Sequence, residues 1–149
     1  VKIPIVNSKG KSNLRSIIEC SKNGINLNIT AVFTYNQVRS IYKATNKNNS
    51  KIIISIFAGR IADTGTDPQN IIIKSLRLTK KNKNIKILWA STREVFNIYQ
   101  ANLLGCDIIT VTPDILNKMK LYKKNLNKYS IETSKSFFED AKKSNIKIL

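Results

Sequence analysis

Polar side chains of a few chemically useful types stand within or just after the apolar runs of this sequence. A lysine is the second residue of the first run, VKIPIV, and the run INLNITAVF carries an asparagine and a threonine two positions apart. Residues two apart in a strand project from the same face of a sheet. The segments SIFAGR and LWASTR add two serines, a phenylalanine and two arginines. The resulting candidate residues are Lys2, Asn28, Thr30, Ser55, Phe57, Arg60, Ser91 and Arg93.

The two arginines that follow predicted strand ends indicate an anion site. The chain has 21 lysines and only five arginines, so lysine carries most of its positive charge. A guanidinium grips a phosphate with a planar fork of donors, which a lysine ammonium group cannot do. With Ser91 beside Arg93, we favour a phosphorylated small molecule as the ligand of Arg60 and Arg93 over simple surface ion pairs.

Lys2 has two interpretations. Inside an apolar barrel, desolvation would favour the neutral amine, which is a nucleophile for a carbonyl substrate. The alternative is a lysine at a frayed terminus that reaches into water, and position alone favours this reading. Thr30 and Ser55 fit a ligand site and a hydrogen-bonded core equally well. An amide inside a strand, Asn28, is less easily explained by the core.

An alternation of strands and helices must position these residues. Apolar runs predict five strands, at residues 1–6, 25–33, 51–58, 85–91 and 106–112. Between them, a period of 3.6 residues predicts helices over Asn13–Asn23, Tyr35–Thr45, Pro68–Lys81 and Arg93–Leu104. Strands that are apolar throughout indicate an α/β fold whose parallel sheet is covered by helices.

Capping residues support these boundaries. Gly24 and Gly105 follow predicted helices, where a left-handed C-terminal cap is expected, and Asp67 precedes a proline at the first helical position.

A last helix is predicted at about residues 131–144. No linker is visible, so we expect a single domain over residues 1–149.

Composition narrows the classes of function. The 26 basic and nine acidic residues give a net charge of +17, which could serve nucleic acid or an anionic membrane. No basic run exceeds two residues and no aromatic residues are interleaved with the lysines, so we do not favour nucleic acid. The absence of histidine and of a CxxC pair argues against a zinc site and a histidine-activated nucleophile. We expect reduced, buried thiols at Cys20 and Cys106.

The first apolar run is short and is interrupted by Pro4, unlike a signal peptide or a membrane-spanning segment. The expectation is therefore a cytoplasmic protein that makes no use of a membrane.

In chain order, these segments resemble those of the transaldolases and the related fructose-6-phosphate aldolases. VKIPIV is similar to the family's VKVPVT-type strand, and NITAVFT is similar to NxTLxFS. SIFAGRIAD resembles SPFVGRxxD, LWASTR resembles AASFR, and GCDIITVTPDILNKM resembles GADxITVPPxLLxKM. The end, SFFEDAKKSNIKIL, is similar to xFxxDAKxxGF, so the resemblance covers nearly the whole chain.

The resemblance implies a role for each candidate residue. Lys2 would form a Schiff base with a ketose, with Thr30 as a second catalytic residue. The substrate-binding residues would be Asn28, Ser55, Phe57, Arg60, Ser91 and Arg93, the last three at the phosphate end. Ile56 and Thr92 depart from the family pattern, which has a proline and an aromatic residue at these positions.

The implied reaction transfers a dihydroxyacetone unit between sugar phosphates, from fructose 6-phosphate to an aldose phosphate, without a metal or an organic cofactor. Direct aldol cleavage is an alternative, and an inactive fragment that binds sugar phosphate is another. Phe57 favours transfer, because the simple aldolases of the family have a tyrosine there.

The implied fold is a (β/α)8 TIM barrel, of which this chain would supply strands four to eight and a C-terminal helix. The first three βα units, which carry the family's acid/base carboxylates, would be absent. An open five-stranded sheet exposes two edges, so we expect the chain to form a homo-oligomer.

Overall fold

The computed structural model describes residues 1–144 of the 149-residue chain, so the predicted single domain extends beyond the described residues by its last five positions. The strands are β1 (Lys2–Pro4), β2 (Leu27–Val32), β3 (Ile52–Ile56), β4 (Ile85–Trp89) and β5 (Ile108–Ile109). The helices are α1 (Leu14–Lys22), α2 (Tyr35–Thr45), α3 (Ala58–Ala62), α4 (Gln69–Thr79), α5 (Phe96–Leu104), α6 (Pro113–Lys118) and α7 (Leu126–Lys143). A short 3-10 helix covers Met119–Leu121.

The chain falls into two compact units, of which the first is Val1–Leu116 and the second begins at Asn117. The first unit contains all five strands. In the second unit, α7 begins before its predicted start at residue 131, because the side chain of Asn125 accepts a hydrogen bond from the Lys128 backbone N–H and caps the helix there. An ion pair between Lys124 and Glu132 joins this cap to the second turn of α7.

The five strands form one parallel sheet in the order β1-β2-β3-β4-β5. Right-handed crossovers between strands that follow one another in this order carry every connecting helix to the same side of the sheet. In a doubly wound sheet the strand order reverses, and helices cover both faces. The singly wound order found here is consistent with a TIM-barrel family.

Isoleucine and other apolar side chains bury the helix-facing side of the sheet. Ile29, Ile54 and Ile87 occupy one register row across β2, β3 and β4, and each is fully buried. They belong to a core that also includes Ile17 of α1 and Ile41 of α2. Burying one such side chain contributes about 1.5–3 kcal/mol, so this layer is the main source of stability in the first unit.

The opposite face of the sheet, called the open face below, is covered less completely by other residues. The apolar runs did not predict this difference. Lys2, Pro4 and Lys86 are exposed there, while Ile53 is half-buried. Lys86 pairs with Asp107 at 2.8 Å. The predicted parallel sheet with covering helices is confirmed, and its second face is buried only toward the carboxyl ends of β3 and β4.

Local signals in the sequence account for most element boundaries. Helix α2 has the predicted bounds. Gly24 and Gly105 adopt φ of +76°, as predicted for residues that follow helix ends, and Asp67 accepts a hydrogen bond from the Gln69 N–H at 2.9 Å. Helix α3, the five residues Ala58–Ala62, was not predicted, because it falls within and after an apolar run that reads as one strand.

Both cysteines are free thiols and half-buried. Burial raises the pKa of Cys106 to about 12, and the charge of Asp107 acts in the same direction. A thiol with this pKa remains protonated at neutral pH, so Cys106 is not an activated nucleophile. Within the described residues, no helix combines the length and the apolar character that crossing a bilayer requires.

The two faces of β3 provide a test of this architecture. We expect Ile54→Ala to lower the free energy of unfolding by about 2–5 kcal/mol, because Ile54 is fully buried and truncation leaves a cavity. The matched change Ile53→Ala, one residue away on the open face, should cost about 1 kcal/mol. Urea denaturation of both variants measures the difference. Equal losses would contradict a sheet with one covered face.

Candidate functional site

Lys2 and Asn28 lie side by side on the open face of the sheet. They are register partners on β1 and β2, which brings their Cα atoms to about 4.8 Å, the spacing of neighbouring strands. Together with Lys51 and Ile53 they line a cavity of about 480 Å³. Lys2 is exposed, because β1 is an edge strand of the sheet. The buried amine of the barrel interpretation is therefore not found in the described part of the chain.

Ser55 fixes the orientation of the Asn28 amide. The Ser55 hydroxyl donates a hydrogen bond of 2.6 Å to Asn28 Oδ1. This length is typical of an O–H···O bond and shorter than an N–H···O bond, which agrees with oxygen as the atom that faces Ser55. The amide NH2 of Asn28 consequently remains as a donor beside Lys2, while Ser55 itself is buried.

Thr30 lies two residues beyond Asn28, and its hydroxyl has an unusual environment. Thr30 Oγ1 is buried and has no hydrogen-bond partner among the described residues. The next residue, Ala31, has φ of +55° and occupies a β-bulge, where the two residues of β2 between Ile29 and Val32 stand opposite one residue of β3. Backbone strain of this kind costs about 1–3 kcal/mol and is concentrated at functional sites.

Two aromatic rings lie just beyond the carboxyl ends of β2 and β3, and one of them contacts an arginine. The rings of Phe33 and Phe57 have centroids 5.7 Å apart. The Arg60 guanidinium carbon lies 5.4 Å from the Phe57 centroid, a cation–π contact. Gln37 holds the backbone of this segment, since its Oε1 accepts a hydrogen bond of 2.8 Å from the Phe33 N–H. Phe57 thus contacts the first candidate phosphate residue directly.

Arg93, the second candidate phosphate residue, forms an ion pair with Asp63. Arg93 Nε lies 3.1 Å from each carboxylate oxygen of Asp63, and Nη2 lies 2.5 Å from Oδ2. The hydrogen bonds from Arg93 hold the pKa of Asp63 below its ordinary value, and the charges of Arg93 and Arg60 act in the same direction. Asp63 therefore lies close to both arginines.

Gly59 allows the loops after β3 and β4 to meet. A Cβ atom at Gly59 would lie 1.5 Å from the backbone oxygen of Ser91, which no side chain can tolerate. Ser91 adopts φ of +65°, and the Gly59 N–H donates to the Ala90 carbonyl at 3.3 Å. Thr92, where the family pattern has an aromatic residue, is buried and donates a 2.6 Å hydrogen bond to the Thr110 carbonyl.

The structure thus arranges the predicted residues in two groups, one on the open face of the sheet and one beyond the carboxyl ends of its strands. Lys2, Asn28, Thr30 and Ser55 lie on the open face, and Phe57, Arg60, Ser91 and Arg93 follow the carboxyl ends of β3 and β4. Sequence reasoning missed the residues that hold this arrangement, namely Ala31, Phe33, Gln37, Gly59 and Asp63. Gln37 had a readable signal, because a threonine three residues before a glutamine predicts a capping box.

Comparison with known proteins now identifies the family. The family model described as Transaldolase/Fructose-6-phosphate aldolase matches residues 1–148. The chain belongs to this family. A probable transaldolase of Nitrosopumilus maritimus (strain SCM1) is 31% identical over 147 residues, which cover 97% of this chain and 61% of that protein.

Two further relatives agree. A probable transaldolase of Thermoanaerobacter sp. (strain X514) is 32% identical over 149 residues, which cover 99% of this chain and 62% of the relative. A probable transaldolase of Petrotoga mobilis is 30% identical over 120 residues, or 80% of this chain and 50% of the relative. This member of the transaldolase/fructose-6-phosphate aldolase family therefore spans between half and about three fifths of the length of these curated relatives.

A basic cleft lies at the opposite end of the sheet from the arginine pair. It has a volume of about 390 Å³ and is lined by Arg77, Lys80, Lys83, Lys86 and Asp107, among others. The carboxyl ends of α4 and α5 border this cleft, and helix dipoles favour positive charge there. The fold thus accounts for this cluster of cations without a ligand.

Gly59 offers a test of the loop contact. We expect Gly59→Ala to lower the free energy of unfolding by about 2–3 kcal/mol, since the Ser91 backbone must move. The control is Gly65→Ala, where φ is +78° but no atom lies within 4 Å of the added methyl group. That change should cost about 1 kcal/mol, from backbone conformation alone. Chemical denaturation compares the two, and a smaller loss for Gly59→Ala would contradict the close contact.

Proposed function

We propose that the protein to which this chain belongs transfers a dihydroxyacetone unit between sugar phosphates through a Schiff base on Lys2. The observation that carries the proposal is the shared face and register of Lys2 and Asn28, with Arg60 and Arg93 further toward the carboxyl end of the sheet. A ketose phosphate has a carbonyl group at one end and an anion at the other. A lysine at one end of a site and an arginine pair at the other match this distribution.

The proposed reaction begins at the lysine amine. The Lys2 amine adds to the ketose carbonyl, the carbonyl oxygen leaves as water, and a protonated imine forms. A base removes the proton of the C4 hydroxyl, the C3–C4 bond breaks, and its electrons remain as an enamine on the lysine while the aldose phosphate departs. The enamine adds to the aldehyde of an acceptor, and water hydrolyses the new imine. The protonated imine is the electron sink, so the reaction requires no metal or organic cofactor.

The neighbouring polar groups have separate tasks in this proposal. The free NH2 of Asn28 donates to a substrate oxygen beside the imine. The Thr30 hydroxyl is buried and unpaired among the described residues, so it is available to a reacting oxygen. Arg60 and Arg93, with Ser91, bind the phosphate, and Phe57 lines the substrate path between the two ends.

We also propose that the chain is one part of a TIM-barrel domain. The singly wound sheet has two open edges, and the first two relatives are longer than this chain. Strands beyond β1 would desolvate Lys2, and the acid/base carboxylates would lie on those strands. Without such strands, the edges favour assembly into a homo-oligomer. Direct aldol cleavage and binding of sugar phosphate without catalysis are the alternatives, and Phe57, rather than tyrosine, favours transfer.

Reductive trapping tests the lysine. Incubation of the chain with fructose 6-phosphate or dihydroxyacetone and borohydride should give a stable adduct, because borohydride reduces the imine to an amine. Peptide mass mapping should locate the adduct at Lys2, and Lys2→Arg should abolish it.

The control variant is Lys51→Arg, because Lys51 lines the same cavity. This variant should keep the adduct. Labelling spread over many lysines, or lost with Lys51→Arg, would argue against the assignment. If the isolated chain gives no adduct, the same experiment on the complete gene product decides, and no adduct there would refute the Schiff-base proposal.

A double-mutant cycle tests the link between Ser55 and Asn28. We expect Ser55→Ala to weaken binding of fructose 6-phosphate about fivefold, because the Asn28 amide loses its fixed orientation. In an Asn28→Ala background, Ser55→Ala should have no further effect. Isothermal titration calorimetry measures the affinities. Losses that simply add would indicate that Ser55 contacts the ligand independently of Asn28.

A further inference from the structure

The ion pair between Arg93 and Asp63 leaves part of the guanidinium group unused. Nε and Nη2 of Arg93 face the carboxylate of Asp63. A guanidinium has five N–H donors, one on Nε and two on each terminal nitrogen. The contact uses the Nε donor and one Nη2 donor. Both Nη1 donors and the second Nη2 donor remain, and they form the other edge of the same planar group.

Asp63 and Phe57 each restrain the guanidinium group of one arginine. Phe57 supports the guanidinium of Arg60 from one face, and Asp63 holds Arg93 from one edge. Arg60 and Asp63 are three residues apart at the end of α3, and the Arg60 charge acts on Asp63. Each arginine therefore has one restraining partner and keeps free donors in the same neighbourhood.

Stability alone is a weak explanation for this ion pair. About half of each side chain remains exposed, 48% for Arg93 and 50% for Asp63. Exposed ion pairs contribute little to stability, because water and salt screen them. Restricting a long, flexible side chain to one orientation, however, reduces the entropy that a ligand must otherwise remove on binding.

We propose that Asp63 is a positioning residue, which presents the free edge of Arg93 beside Arg60 to the phosphate group of the substrate. This inference rests on the proposed function, because it presupposes that a sugar phosphate is the ligand. It adds to that function a residue that touches no substrate atom and acts through Arg93.

Positioning of Arg93 by Asp63 and simple charge repulsion by Asp63 predict opposite changes in the affinity for phosphate. A carboxylate near an anion site repels the phosphate, so removing its charge alone would tighten binding. If Asp63 instead orients Arg93, removing its charge must weaken binding. The direction of the change in affinity therefore decides between the two.

The experiment measures dissociation constants for fructose 6-phosphate and for fructose by NMR titration of the full chain at physiological salt. Asp63→Asn should weaken fructose 6-phosphate binding up to about fivefold and leave fructose binding unchanged. Asp63→Glu keeps the carboxylate and should recover part of the loss. In an Arg93→Lys background, Asp63→Asn should have no further effect, because lysine has no planar fork to orient.

The matched control is Glu19→Gln, which makes the same change of charge on α1. It should leave both affinities unchanged, and thermal melting of every variant confirms that it is folded. Tighter or unchanged binding by Asp63→Asn, or an equal loss for fructose, would overturn the role of Asp63 while the proposed function stands. A wild-type chain that binds fructose 6-phosphate no better than fructose would instead refute both the phosphate site and the role of Asp63.

Discussion

The candidate site depends on the burial of one face of the sheet. Ile29, Ile54 and Ile87 stand in one row and are fully buried beneath the crossover helices. A slip of one residue in any strand would exchange its buried and open faces, so this row specifies the register. Once the register is set from the covered side, Lys2 and Asn28 are neighbours on the other side. Their proximity follows from the core and requires no contact between them.

The carboxyl end of the sheet is where the backbone departs from regular geometry. Ala31 and Ser91 have positive φ, and Gly59 lies against the Ser91 carbonyl group. Such conformations cost about 1–3 kcal/mol each, and the buried isoleucine layer offsets this cost. The bulge at Ala31 directs the chain toward Phe33, and the Gly59 contact brings the loops of the two arginines together. The strained backbone and the candidate phosphate residues thus occur at the same, carboxyl end of the strands.

The two ends of the site differ in how completely the described residues build them. Arg60 and Arg93 each have a restraining partner, Phe57 and Asp63. Lys2, by contrast, lies exposed on an edge strand. Burial favours the neutral form of a lysine amine in general, and the described residues leave the Lys2 side chain in contact with solvent. The described residues therefore restrain the proposed phosphate end of the site more than they enclose its lysine end.

The sequence by itself determined the five strands, the helices between them other than α3, the left-handed glycines Gly24 and Gly105 after helix ends, and the shared face of Asn28 and Thr30. These features depend on local periodicity and local hydrogen bonds, which neighbouring residues specify. The family resemblance, which the comparisons confirm, also came from the sequence. Only the tertiary structure decided that one face of the sheet is open, that Arg93 pairs with Asp63, and that Gly59 must be glycine. Those features depend on contacts between residues about 30 positions apart, and no local pattern encodes which distant atoms will meet.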